Sequence, residues 1–167
     1  WKSDSGKKPL VVKGPRQVGK TESIRRFGFA NYDSVIEINF VEEPKYKSII
    51  EDGYSAASIV RNISLLDPAK RFIEGRTLLF FDELQEFPEI ATALKFFKQD
   101  ARFDVICSGS MLGINYQRIE SNSVGYKTDF EMRSLDFEEF LWAKGYDNSI
   151  AGEMLAHLVE ARPFTNI

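Results

Sequence analysis

The sequence predicts a three-layer α/β domain built on a mainly parallel central sheet. Three observations carry that prediction. Short apolar runs of strand type alternate with segments of helical period, several of the runs are apolar enough to be covered on both faces, and a glycine-rich turn joins the first run to the first helix. At 167 residues the chain suits one core, so a single domain over 1–167 is expected. With 43% hydrophobic and 28% charged residues the composition is that of an ordinary globular protein. No apolar run approaches the roughly 20 residues of a membrane span.

Taken in order, residues 1–8 are polar and lysine-rich and read as a frayed lead-in. Residues 9–13 form the first strand, and the helix after the glycine turn is expected to end near Gly28. Residues 35–40 alternate with the strand period, and Glu42-Glu43-Pro44 opens a short helical segment to about Asp52. From 55 to 67, Ile59, Ile63 and Leu66 share a helical face that Asp67-Pro68 ends. Thr77-Leu78-Leu79-Phe80-Phe81 is the most apolar strand. Pro88 suits the first turn of a helix aligning Ile90, Leu94 and Phe97. Residues 103–107 are the next strand, ending in Ser108-Gly109-Ser110. A helix is expected over 111–120, a loop over 121–125 and a strand over 127–133. Asp136 with Glu139 makes a capping box ahead of Phe137, Phe140 and Leu141, and a last helix near 149–161 carries Met154, Leu155 and Leu158.

The glycine turn is chemically specific. Gly14-Pro15-Arg16-Gln17-Val18-Gly19-Lys20-Thr21 fits G-x-x-x-x-G-K-[ST], the Walker A phosphate-binding pattern, in the expected strand–loop–helix context. Glycine lets the backbone curl around a polyphosphate so that the N–H groups of about Val18 to Thr21 point inward. The helix opening there, with Glu22 in its first turn, adds the positive end of its dipole. In this reading Lys20 reaches the outer phosphates and the Thr21 hydroxyl ligates magnesium.

A second motif strengthens the first. Leu78-Leu79-Phe80-Phe81-Asp82-Glu83 is an apolar strand ending in two carboxylates, the Walker B form. Ligands collect at the carboxyl ends of parallel strands, where the loop also lies. Asp82 is therefore expected to hold Mg²⁺ through a water, and Glu83 to polarise the water attacking the γ-phosphate. A GTPase would carry glycine three residues after the aspartate, but Gln85 stands there. The guanine-reading N-K-x-D is absent, since Tyr126-Lys127-Thr128-Asp129 lacks the Asn. ATP is thus the expected nucleotide. Ser108 and Ser110 are candidates for sensing the γ-phosphate, with a plain loop role as the alternative. Gln85 either helps position water or transmits the nucleotide state, with an exposed residue at a helix start as the plain alternative.

Other features exclude more than they assign. The single Cys107 lies in an apolar run and reads as a buried inert thiol, and no Cys/His cluster exists for zinc. A reducing, cytoplasmic setting is expected. The net charge of −3 speaks against a strongly basic nucleic-acid binder, although residues 1–26 carry +6 and the remainder −9.

Together these residues carry a resemblance. The phosphate loop, Phe81-Asp82-Glu83-Leu84-Gln85, Ala93-Leu94-Lys95 and Ser108-Gly109-Ser110, in that order, resemble the AAA-type ATPase domain of prokaryotic ATP-binding proteins with a C-terminal DUF4143 domain. Gly125, Lys127 and Leu135-Asp136-Phe137-Glu138-Glu139-Phe140-Leu141 resemble that family's downstream block, with Tyr126 intervening where the family often has Gly-Arg or Gly-Lys. The resemblance implies the additional-strand ATPase core of P-loop NTPases, with the Mg-binding strand not adjacent to the phosphate-loop strand. It also implies the roles above for Lys20, Thr21, Asp82 and Glu83, and a fragment that stops short of a C-terminal domain.

The expected function is ATP hydrolysis with Mg²⁺, driving movement of an attached domain or protein partner, with a second copy of the chain as a further partner. The alternatives are an ATP-dependent switch that hardly hydrolyses and a DNA-associated ATPase resting on the basic first 26 residues. Arg102, Arg118 and Arg133 are the candidates for an arginine finger, and none is assigned. Because such a finger contributes about 10³–10⁵ in rate, the isolated chain is expected to be slow.

Overall fold

The computed structural model describes residues 1–110 and 123–163. The chain divides into two compact units, Trp1–Met132 and Arg133–Ile167.

The first unit is built on five parallel strands: β1 (Leu10–Gly14), β2 (Ser34–Asn39), β3 (Thr77–Asp82), β4 (Asp104–Ser110) and β5 (Thr128–Glu131). Their order across the sheet is β2-β3-β4-β1-β5, so β4 separates β1 from β3. That is the additional-strand arrangement. Among the described residues this unit has the α-helices α1 (Lys20–Asn31), α2 (Ala56–Leu66) and α3 (Leu94–Asp100).

Side-chain alternation sends consecutive strand residues to opposite cores. Val11, Ile36, Ile38, Leu79, Phe81, Val105 and Cys107 face a large cluster closed by Tyr46, Ile49, Ile59, Ile63, Ile90, Leu94 and Phe97. Val12, Leu78, Phe80 and Ile106 face a smaller one closed by Ile24 and Tyr32, with Trp1, Phe27 and Met132 packed against it. All six residues of β3 are buried, as its unbroken apolar run requires.

Some boundaries differ from expectation for identifiable reasons. Helix α1 runs past Gly28 to Asn31. Gly28 serves close packing, since a Cβ there would lie 3.0 Å from both Leu78 Cδ2 and Val35 Cγ2. Strand β4 continues through Ser110 because Ser108, Gly109 and Ser110 pair with Val12, Lys13 and Gly14. The expected helices after Pro44 and Pro88 begin as 3-10 turns, Pro44–Ile50 and Pro88–Ala93, and only the second passes into an α-helix. Strand β5 is shorter than 127–133 and exposed along its length. The helix expected over 111–120 and the start of the following loop lie outside the described residues.

The second unit contains α4 (Phe137–Ala143) and α5 (Asn148–Val159). The capping box forms: Glu139 N–H donates to Asp136 Oδ1 at 2.8 Å and Asp136 N–H to Glu139 Oε2 at 3.0 Å. Asp147 caps α5 through Ile150 N–H at 2.9 Å. The expected apolar face is only partly covered: Leu141 is buried, whereas Phe137, Phe140 and Leu158 remain exposed. Among the described residues no helix is long and apolar enough to cross a membrane.

Candidate functional site

Strand register brings the predicted motifs to one rim. Gly14 pairs with Ser110, Asn39 with Asp82, and Phe81 with Cys107, so Asp82 ends level with Ser108. The carboxyl ends of β2, β3, β4 and β1 therefore present Asn39, Asp82, Ser108, Ser110 and Gly14 side by side.

The loop between β1 and α1 is shaped by backbone. A Cβ on Gly14 would lie 2.0 Å from the Met132 carbonyl oxygen, so the position needs glycine. Met132 N–H in turn donates to Lys13 O at 2.7 Å, which locks the chain beyond β5 against the loop's root. Gln17 (φ 63) and Gly19 (φ 92) occupy the left-handed region and turn the chain into α1. No side chain caps that helix, so its first N–H groups are left for a ligand at the positive dipole end.

Lys20 Nζ donates to Gly14 O at 3.1 Å and to Pro15 O at 2.5 Å, lying along the loop's own carbonyls. Burial lowers its pKa below the ordinary lysine value, with Glu83 and Asp82 pulling it upward against that effect. Arg16, Gln17, Gly19, Lys20, Thr21, Glu22, Arg25, Glu83 and Ser110 line a cleft of about 530 Å³. In the same loop Pro15 is exposed and Val18 is partly buried. Glu22 pairs with Arg26 at 2.6 Å on the outer helix surface. A carboxylate so placed offers a polyphosphate only its backbone N–H.

Asp82 is only 2% exposed, and its carboxylate is saturated. Oδ2 accepts from Thr21 Oγ1 at 3.1 Å and Asn39 Nδ2 at 3.3 Å. Oδ1 accepts from Glu83 N–H at 3.0 Å and from the Ser108 hydroxyl. Because a carboxylate only accepts, Thr21 must donate its proton to Asp82, which leaves the hydroxyl lone pairs for a cation in the cleft. One carboxylate and one hydroxyl, with phosphate oxygens completing the shell, form the oxygen donor set that suits Mg²⁺. Among the described residues no group of three His, Cys, Asp or Glu clusters as a metal site, so any cation here needs oxygens from its ligand.

Glu83 has φ 56 and ψ 48, a left-handed conformation that costs a non-glycine residue energy. The chain thereby leaves the sheet abruptly into the turn Leu84–Glu86, and Glu83 faces the cleft while its neighbour Asp82 stays behind Thr21. The two predicted sensing candidates separate as well: Ser110 lines the cleft, and the Ser108 hydroxyl turns to Asp82.

Two residues here carried no sequence signal of their own. Asn39 reads as a strand end, yet it binds Asp82 and accepts from Val41 N–H at 2.9 Å and Glu42 N–H at 3.1 Å. Arg25 lies one turn beyond Thr21 and is held by Glu37 through two contacts of 2.7 Å. Of the finger candidates, Arg102 is occupied by Asp100 and Glu74, Arg118 lies outside the described residues, and Arg133 opens the second unit. Half of the basic excess of residues 1–26 is matched from outside that stretch, with Lys7 on Asp104, Lys13 on Asp129 and Arg25 on Glu37, while Arg26 pairs with Glu22 within it.

A parallel sheet of this order, with a glycine loop feeding a helix and an acidic strand end at the same rim, defines a P-loop nucleotide-binding domain. The model for the AAA domain family matches residues 6–141, and the chain belongs to that family. A comparison with curated proteins finds no match.

Proposed function

We propose that the chain is a magnesium-dependent ATPase domain whose hydrolysis drives movement in an attached domain or partner. The observation that carries this reading is the 3.1 Å hydrogen bond between Thr21 and Asp82, which joins two motifs 61 positions apart at one cleft. Membership of the AAA domain family supports ATP as the nucleotide.

On this reading the N–H groups around Gly19 to Thr21 and the Lys20 ammonium bind the β- and γ-phosphates. Lys20 leaves the carbonyls of Gly14 and Pro15 for phosphate oxygens, exchanging neutral acceptors for charged ones. Thr21 and Asp82 would hold Mg²⁺, the threonine by its hydroxyl oxygen and the carboxylate by exchanging one of its present donors for a metal-bound water. The bound cation neutralises charge on the phosphate oxygens. Glu83 orients the attacking water and accepts its proton. Ser110, rather than Ser108, stands where the γ-phosphate can be sensed.

A second reading, a switch that binds ATP and hardly hydrolyses it, is favoured by the arginines. Among the described residues only Arg16 and Arg25 line the cleft, and Arg25 is tied to Glu37. On this reading a finger supplied by a second copy or partner would speed hydrolysis, and the isolated chain turns over slowly. The resemblance to proteins with a C-terminal DUF4143 domain makes such a domain the natural recipient of the movement.

A nucleotide titration with and without Mg²⁺, comparing ATP, ADP and GTP, tests the proposal. The expected result is magnesium-dependent binding of ATP and ADP in preference to GTP. Binding indifferent to magnesium, or preference for GTP, overturns it.

A further inference from the structure

Gln85 is a buried polar side chain, 7% exposed, in the turn that follows Glu83. It is therefore not the exposed residue at a helix start that the sequence allowed. Its amide nitrogen donates to Glu83 Oε2, and its Oε1 accepts from the backbone N–H of Ser110 at 3.1 Å. Gly109 leaves the room this requires, because a Cβ there would lie 3.0 Å from Gln85 Oε1 and 3.6 Å from Leu84 Cβ. One amide thus spans from the cleft carboxylate to the last residue of β4.

We propose that Gln85 is a positioning residue that fixes the Glu83 carboxylate through its bond to the end of β4. The inference rests on the reading of Glu83 as the group that activates water. Glutamate has three side-chain torsions, and the hydrogen bond from Gln85 restrains the plane of its carboxyl. With Oε2 engaged by Gln85, Oε1 keeps both of its acceptor positions for water. A catalytic group needs its geometry held to within about 0.5 Å and 10–20°, and a misplacement of about 1 Å can cost roughly 10² in rate. The second anchor gives this restraint a function beyond local packing. Ser110 also lines the cleft, so displacement of the β4 end is passed through one side chain to Glu83.

The test compares the whole chain with its Q85A, Q85E and E83Q variants in ATP affinity, single-turnover rate, rate against pH, and thermal melting. Q85A is expected to slow turnover about tenfold or more while ATP affinity stays within about twofold. Q85E keeps an acceptor for Ser110, which preserves the fold if Q85A does not, but sets a second carboxyl against Glu83. It is expected to be slow at neutral pH and to recover as pH falls, when a proton shared by the two carboxyls restores the lost donor. Neither the wild-type chain nor Q85A has this acid-side recovery. Q85E with the wild-type rate and pH profile overturns the proposal, as does a rate loss matched by equal losses of ATP affinity or melting temperature. E83Q separates the two levels. If E83Q is dead and the Gln85 variants are normal, only the positioning role falls; if E83Q turns over like wild type, the assignment of Glu83 falls and this inference with it.

Discussion

The two walls of the cleft are built by different means. One wall, from Gly14 to Thr21, is made by the backbone: a glycine against a carbonyl, two left-handed residues, and a helix start with no side-chain cap. The other, Asp82 and Glu83 at the end of β3, is made by side-chain hydrogen bonds from Thr21, Asn39, Ser108 and Gln85. The first is therefore sensitive to atoms added, the second to donors removed. Within the acidic wall the contrast repeats, for Asp82 is saturated and buried whereas Glu83 is strained and faces the cleft.

The largest expected effect breaks that second contrast. Glu83→Gln keeps the shape and removes the base, so turnover should fall about 10²–10⁴-fold while ATP affinity is kept. Single-turnover hydrolysis beside a binding titration measures both, and equal loss in both would assign Glu83 to binding alone. Asp82→Asn instead leaves an amide with two donors facing the Thr21 hydroxyl and the Asn39 amide. The expected outcome is a steeper magnesium requirement for binding, read as ATP affinity against Mg²⁺ concentration.

On the loop wall, Lys20→Ala removes charge-assisted hydrogen bonds worth about 1.5–3 kcal/mol, or roughly tenfold to a hundredfold in ATP affinity. Burial lowers the Lys20 pKa, and phosphate binding needs the ammonium. Affinity should accordingly be full below that lowered value and fall as pH rises through it. Lys20→Arg keeps its charge at every accessible pH and should flatten the curve. An unchanged slope in that variant would move the pH effect to another group.

Much of this was legible in the residues because the two motifs obey strong local rules. An apolar run covered on both faces and ended by two acids is hard to place anywhere except at the rim of a central strand. The loop's octet dictates its own geometry. What was not legible depends on register. Asn39 became part of the acidic wall because β2 pairs with β3 so that it falls opposite Asp82. Ser108 and Ser110 share a face of β4, and they differ in destination because the register sets Ser108 level with Asp82 and Ser110 one step further on, opposite Gly14 at the cleft. Gly28 imitated a helix stop, and Gln85 could not be told from a surface residue, because each is explained by a neighbour distant in sequence: Leu78 for one, Ser110 for the other.

A smaller effect sharpens the comparison from the loop side. Gly14→Ala adds a single methyl group that meets the Met132 carbonyl at 2.0 Å, so the pairing of β1 with the chain beyond β5 must yield. Overpacking of this kind costs about 1–3 kcal/mol, readable as a lowered denaturation midpoint. Because the backbone itself moves, phosphate binding should weaken although no phosphate-contacting side chain is altered. Full stability with full affinity would mean that the loop is less constrained than its contact with Met132 implies.

The smallest effect belongs to Ser108→Ala. It removes one of four donors to Asp82, a hydrogen bond to a charged group that contributes about 1.5–3 kcal/mol to stability but touches no nucleotide. The remaining donors, Thr21, Asn39 and the Glu83 N–H, hold the carboxylate near its place, so ATP and ADP affinities should each change by no more than about twofold. Ser110→Ala is the matched control: the residue lines the cleft, and loss of its hydroxyl should change the preference for ATP over ADP. Measuring both preferences decides which serine reads the γ-phosphate, and a shift in the Ser108 variant alone would reverse the assignment.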